Sequence, residues 1–304
     1  MTSRIAEFVR RRWLTLALAG LLGSGVLAGC ASFDTQMRKW IFQPAPAQSW
    51  QGTPRQRHDG IDDVWIEYRS EASGQPVRLH GLWAAHADPQ APLLLYLHGA
   101  RRHVESSGWR IRNMRELGFS VLAIDYRGFG ASTDELPSEE SAVEDAVAAW
   151  DWLGARFPQQ PRYIFGHSLG GAIAIALAAR TDDERGLIVE GTFTSVADVF
   201  RSWRWGWLPL TPLIGKRFDS AAQIARVGSP VLVVHGSDDG TIKPQLGRQL
   251  YARAAEPKRF VLVDGGTHHN ANRLGQAQYR EAIEALFGIG RQPAQRTLTN
   301  LVIE

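Results

Sequence analysis

Residues Arg162 to Ala174 read RYIFGHSLGGAIA, and few local folds accept such a stretch. A short apolar run, Tyr163-Ile164-Phe165, meets Gly166-His167-Ser168-Leu169-Gly170, and a helical run of small residues follows over Gly171 to Ala179. That order predicts a strand, a tight turn and a helix, with Ser168 at the tip of the turn. A turn this sharp forces the serine into a strained backbone conformation. A Cβ two residues to either side would crowd it, which explains the glycines at 166 and 170. The five-residue pattern is short, so its surroundings must carry the weight.

Those surroundings read as a layered α/β protein. Val64 to Tyr68 and Val77 to Trp83 alternate in hydrophobicity around Ser73-Gly74, which predicts an antiparallel hairpin. Pro92 to Leu97 is a continuous apolar run, as expected of a parallel strand buried on both faces, and Ser120 to Ile124, Gly186 to Glu190, Val231 to His235 and Phe260 to Val263 read as further buried strands. Helices fall between them. Ile111 to Leu117 is a short one. Ser138 caps another, whose Val143, Ala146, Val147, Trp150 and Leu153 share one stripe before Phe157-Pro158 ends it. Tyr279, Ile283, Leu286 and Phe287 mark a closing amphipathic helix. The pattern implies one domain with a mostly parallel, doubly wound sheet.

The first thirty residues read as a targeting segment. Arg4 to Arg12 form a charged region, and Trp13 to Ala28 form an apolar region too short for a comfortable membrane span. Leu27-Ala28-Gly29-Cys30 closes it, and Cys30 is the sole cysteine, so no intramolecular disulfide is expected. Pro44, Pro46 and Pro54 make residues 30–60 read as a tether, within which Trp40-Ile41-Phe42 is expected to dock onto the domain. The domain itself is expected over 61–288, with a loose tail over 289–304.

Charge excludes one class of partner. The formal charge is +3, but the first 29 residues hold four arginines and one glutamate, so the rest balances at 30 basic and 30 acidic residues. No basic field remains in the mature part, and nucleic acid is not an expected partner. No metal-binding motif or phosphate loop is visible, and no cofactor is expected.

The chemically suggestive residues all follow apolar runs, where open α/β sheets gather functional groups. Ser168 follows Phe165. Asp238 and Asp239 follow Val231 to Val234. His268 and His269 follow Val263, within Gly265-Gly266-Thr267-His268-His269-Asn270. Serine is a poor nucleophile at its own pKa, so it needs an imidazole to take its proton and an acid to orient that imidazole. His98 and His235, which end buried runs before glycine, read as strand-end histidines supporting loops, and His167 reads as positional. Asp125 and Arg127 read as groups tying down a loop. Arg101-Arg102-His103 reads as a solvated charge run, with contact to an anionic leaving group or lipid headgroup as the other reading.

Five ordered motifs, LHGA (97–100), DYRGFGAS (125–132), GHSLGG (166–171), PVLVVHGSDD (230–239) and GGTHHN (265–270), make residues 61–288 resemble the α/β-hydrolase superfamily. Within it the chain looks most similar to membrane-associated serine hydrolases with a small cap, bordering the prolyl-oligopeptidase-like peptidases and acyl-protein thioesterases. The resemblance implies that Ser168 is the nucleophile and that the acid is Asp239, three residues after Gly236, with Asp238 capping the turn. It selects His269 as the base, three after Gly266 and directly before Asn270, and leaves His268 as a neighbour bonding a backbone carbonyl. The oxyanion hole would use the backbone N–H groups of Ala100 and Leu169. A cap is expected over about 192–222, and Phe200 to Leu213 (FRSWRWGWLPLTPL) fits either pocket or membrane-interface contact or a helix burying its tryptophans. Leu27 to Cys30 resembles the lipobox of bacterial lipoproteins. That implies acylation at Cys30, and Ala31 in the next position implies the outer membrane, facing the periplasm. The expected activity is cleavage of a carboxylic ester or thioester of a small or lipid-like acyl substrate. A peptidase and a non-catalytic binding module are the alternatives.

Overall fold

The computed structural model describes residues 32–44, 60–101, 103–203, 207, 214–215 and 217–290. The apolar leader and Cys30, most of the tether, the core of the expected cap and the tail over 291–304 lie outside these residues. The chain divides into two compact units, Met1–Gln43 and Pro44–Glu304.

In the first unit, residues 32–42 of the expected tether form a helix, α1. The prolines behind that expectation begin only at 44. The helical segment itself, SFDTQMRKWIF, has no Gly or Pro and joins Asp34 to Arg38 one turn apart (3.9 Å). Ile41 and Phe42 are buried, while Phe33 and Trp40 are exposed.

The second unit is built on an eight-stranded sheet. Its strands are β1 (Asp62–Arg69), β2 (Pro76–Ala84), β3 (Leu93–Leu97), β4 (Ser120–Ile124), β5 (Arg162–His167), β6 (Glu184–Glu190), β7 (Val231–Gly236) and β8 (Lys258–Val263), in the spatial order β1-β2-β4-β3-β5-β6-β7-β8. The β1–β2 hairpin is antiparallel, β2 meets β4 antiparallel, and every later pairing is parallel. Helices α2 (Gly108–Glu116), α3 (Glu139–Arg156), α4 (Leu169–Ala178), α5 (Val196–Ser202), α6 (Ser220–Gln223), α7 (Pro244–Arg253), α8 (Ala271–Leu274) and α9 (Gln276–Phe287) complete it. Strands β3 and β4 are buried at every residue, the reason β3 is apolar throughout and β4 is apolar after Ser120. Ile111 and Met114 of α2 join Tyr279 and Ile283 of α9 against Leu94, Tyr96, Phe165 and Val234 in one core layer. Ser138 caps α3 reciprocally with Ser141, as the sequence suggested for that helix start.

Gly166 and Gly170 act as their positions in the turn require. A Cβ on Gly170 would collide with the carbonyl oxygens of Leu97 and His98, and one on Gly166 with the carbonyl of Gly170. Between them Ser168 has φ 57° and ψ −122°, a conformation costing on the order of 1–3 kcal/mol that the crossing of β5 into α4 imposes.

A buried ionic cluster secures the loop after β4. Arg127, which has no exposed surface, donates from its backbone N–H to Asp145 Oδ2 (2.9 Å) and from Nε to Asp145 Oδ1 (3.0 Å). Its Nη2 reaches the Tyr68 hydroxyl (2.7 Å) and Glu144 Oε2, and the Tyr68 hydroxyl donates to Asp145 Oδ1 (2.6 Å). The guanidinium therefore joins β1, the β4 loop and α3. This is the loop-tying role expected of it.

Candidate active site

Parallel strands deliver their loops to one edge of the sheet, and β5, β7 and β8 carry the reactive groups there. Ser168 Oγ lies 3.0 Å from His268 Nε2, and His268 Nδ1 lies 2.7 Å from Asp239 Oδ2. Asp239 Oδ1 accepts from the backbone N–H groups of Thr241 (2.9 Å) and Ile242 (2.8 Å). Burial pushes the Asp239 carboxyl up, but hydrogen bonds from His235, His268 and the Ile242 amide outweigh it and hold the group well below the usual carboxylate range. Asp239 is thus an anion that fixes Nδ1 of His268 as the donor and leaves Nε2 free to accept the Ser168 proton.

The expected base was His269, and here the structure corrects the sequence. The turn after β8 accounts for the difference. Asn270 Oδ1 accepts the Thr267 N–H (2.7 Å), which closes a tight loop in which successive residues face opposite sides. His268 is buried on the inner side and His269 is exposed. Among the described residues Asp238 is exposed and accepts only the Ser237 hydroxyl (2.9 Å), while the backbone N–H groups of the turn, expected to be capped by Asp238, go to Asp239 instead.

The remaining expected groups flank the nucleophile. Leu169 is the first residue of α4, so its N–H belongs to the turn whose donors lack intrahelical acceptors. Ala100 follows Gly99, where an added Cβ would sit 3.0 Å from Ser168 Cβ. The Thr192 hydroxyl donates to the Ser168 carbonyl (2.8 Å), a brace on the elbow that no motif announced. His235 donates from Nε2 to the Ile242 carbonyl (2.9 Å), securing the loop that carries Asp239, in line with its expected supporting role. His103 departs from expectation: it is buried, so Arg101-Arg102-His103 is not a wholly solvated run. Trp203 and Trp207 are exposed, and Trp203 Nε1 donates to the Thr241 carbonyl (3.3 Å), joining the start of the cap to the acid loop. Trp205 lies outside the described residues. Among the described residues no group of three or more His, Cys, Asp or Glu side chains is arranged to hold a metal ion.

Asp125 supports the loop containing Gly99 and Ala100. It accepts the Val104 N–H (2.8 Å) and lies 3.3 Å from His80 Nδ1 and 3.4 Å from His98 Nε2. Burial raises its pKa, but the bonds from His80 and His98 prevail and lower it from 3.8 to about 2. A depressed folded pKa adds stability that is full above 3.8 and is lost as pH falls through about 2. Asp125→Asn is therefore expected to cost about 2 kcal/mol near neutrality, a difference that narrows between pH 4 and pH 2 in urea unfolding. A difference that stays constant across that range would contradict the role given to the carboxylate.

Comparisons with known proteins agree with this fold. The hydrolase family described as "Serine aminopeptidase, S33" matches residues 88–222. The uncharacterized protein Rv2307c of Mycobacterium tuberculosis is 32% identical over 281 residues, covering 88% of this chain and 92% of its own. The lysophosphatidylserine lipase ABHD12 of Macaca fascicularis is 29% identical over 238 residues, covering 72% of this chain and 54% of its own. The chain thus spans about half the length of that lipase. Among solved structures, the Pyrococcus furiosus esterase Pf2001 superposes with a TM-score of 0.59 at 18% identity, covering 75% of this chain and 93% of its own. That likeness concerns the fold. Sheet order, the crossing at Ser168 and the match along nearly the whole chain lead to one conclusion: this is an α/β-hydrolase, and it belongs to one family with the M. tuberculosis protein Rv2307c.

Proposed function

We propose that the protein is a serine hydrolase that cleaves a carboxylic ester of a lipid-like, single-chain acyl substrate through an acyl-Ser168 intermediate. The observation that carries the reading is the unbroken hydrogen-bonded line from Asp239 through His268 to Ser168 at the tip of a strained turn. In the forward step His268 Nε2 takes the Ser168 proton while Oγ attacks the ester carbonyl. Asp239 stabilises the imidazolium that forms. The oxyanion is received by the N–H groups of Ala100 and Leu169, each a donor of the kind commonly worth about 3 kcal/mol of barrier. Collapse expels the alcohol, which leaves with the proton from His268. Water, deprotonated by the same imidazole, then releases the acid and restores Ser168.

The name of the lysophosphatidylserine lipase relative favours a monoacyl phospholipid over a short soluble ester. The family description "Serine aminopeptidase" keeps amide hydrolysis as a second reading, since both bonds use the same groups. We further read Cys30 as the site of a lipid anchor holding the enzyme in a bacterial cell envelope, on the outer membrane facing the periplasm. The leader charge, the apolar run and the single cysteine support this.

One substrate panel tests the reading: p-nitrophenyl esters from acetyl to palmitoyl, a monoacyl phospholipid, an acyl thioester and aminoacyl nitroanilides. Ester turnover rising with chain length, and absent in Ser168→Ala, is expected. Preference for the nitroanilides would replace an esterase with a peptidase. For the anchor, labelled palmitate should mark the parent and spare Cys30→Ala.

A further inference from the structure

The residue before the nucleophile is not used by the mechanism above, yet its side chain reaches the main chain of the base. His167 ends β5 and is buried. Its Nε2 lies 2.9 Å from the carbonyl oxygen of His268. A carbonyl can only accept, so Nε2 carries a proton and the tautomer is set. The two imidazoles pack with centroids 4.9 Å apart at 44°. His167 therefore grips the main chain of the residue whose side chain meets Ser168.

Behind His167 stands an ionic cluster that is itself removed from solvent. Glu190, at the end of β6, accepts from Arg110 Nη2 (2.7 Å) through Oε1 and from the Tyr279 hydroxyl through Oε2. Glu190 and Arg110 are 1% and 4% exposed. Glu190 Oε1 is 3.7 Å from His167 Nε2, and its backbone carbonyl accepts the Ser168 N–H (2.9 Å). Burial, then the Arg110 and His268 charges, push His167 well below its ordinary pKa, so it stays a neutral single donor. The cluster thus meets both the serine backbone and the histidine that holds the base.

A buried ion pair is a poor source of stability, since removing both charges from water offsets most of their attraction. The directed hydrogen bonds within such a cluster do favour one arrangement. That selection is needed here. His268 sits in a short loop between β8 and α8, and Asp239 restrains only its ring. We propose that His167 is a positioning residue for His268: its ring, fixed as a donor by packing and by the buried Arg110–Glu190–Tyr279 cluster, holds the His268 main chain where Nε2 meets Ser168. The inference rests on the reading of Ser168, His268 and Asp239 as the reacting groups.

Three variants of the full chain test it by ester kinetics. A base displaced by about an ångström can cost on the order of 10²-fold. His167→Leu removes the donor and is expected to lower kcat by about that factor, with KM within about two-fold of the parent. His167→Gln places an amide N–H near the former Nε2 and should recover kcat to within about five-fold. His167→Asn places its N–H nearer the Nδ1 position, too short to reach the carbonyl, and should stay as low as the leucine variant. The Gln and Asn variants are both polar and small, so the comparison stands even where the leucine variant does not fold. Equal kcat values for Gln and Asn, or a loss shared by kcat and thermal stability alone without separation of the pair, would overturn the positioning role. A parent lacking Ser168-dependent turnover would instead overturn the triad assignment itself.

Discussion

His268→Ala is expected to lower kcat/KM for the best ester by about 10⁴-fold or more, while His269→Ala stays within about three-fold of the parent. The two residues are adjacent and carry the same side chain, so the comparison isolates the direction each faces in the turn. Only His268 lies within hydrogen-bond reach of both Ser168 and Asp239. Ser168→Ala and His268→Ala should have nearly equal effects, and combining them should add little, because groups acting in one proton transfer fail together. Asp239→Asn is expected to lose somewhat less, since the imidazole keeps its place but loses the carboxylate that sets its tautomer and balances the imidazolium. A fluorophosphonate probe gives an independent measure. It should label the parent and His269→Ala at similar rates and leave Ser168→Ala unlabelled. Loss of labelling in His269→Ala with retention in His268→Ala would reverse the assignment.

The second large effect concerns folding. Arg127→Met is expected to destabilise the protein by about 3–5 kcal/mol, read as a lower urea midpoint with an unchanged slope. The substitution roughly keeps volume but strands Asp145 and Glu144 without their cation, and Asp145 is fully buried. Against a typical total of about 5–15 kcal/mol, that is a large fraction of the stability. Pairing Arg127→Met with Asp145→Asn should return part of the loss, because the residue left behind no longer carries a buried charge. A single variant within about 1 kcal/mol of the parent would show that the cluster exchanges freely with water.

These two cases show where sequence reasoning reached and where it stopped. Strand after strand was legible, since a segment buried on both faces has to be largely apolar, as Leu93–Leu97 is throughout and Ser120–Ile124 is after its first residue. Ser168 was legible because its turn is so tight that glycine is demanded at two fixed offsets. Asp239 was legible because its loop lies a short step past a strand end. His268 and His269 have the same side chain, follow the same strand and sit one residue apart. What separates them is the direction each faces in a turn closed by Asn270, a three-dimensional property that spacing does not encode. The helix over 32–42 was missed for another reason: prolines beginning at 44 coloured the reading of the residues before them. The Arg110–Glu190–Tyr279 cluster left no trace, because its members come from α2, β6 and α9, more than 160 residues apart at the extremes.

The sheet order gives the nucleophile and its base unequal security. Ser168 springs from β5, which is flanked by β3 and β6, whereas His268 follows β8, which forms the margin of the sheet and has β7 as its single neighbour among the described residues. Outer strands open at a smaller free energy than central ones. Activity is therefore the first property such a molecule surrenders under stress: peeling of its last strand carries the base away while the serine, the elbow and most of the core stay assembled. Turnover reports on the integrity of the rim, and bulk spectroscopic signals report on the centre.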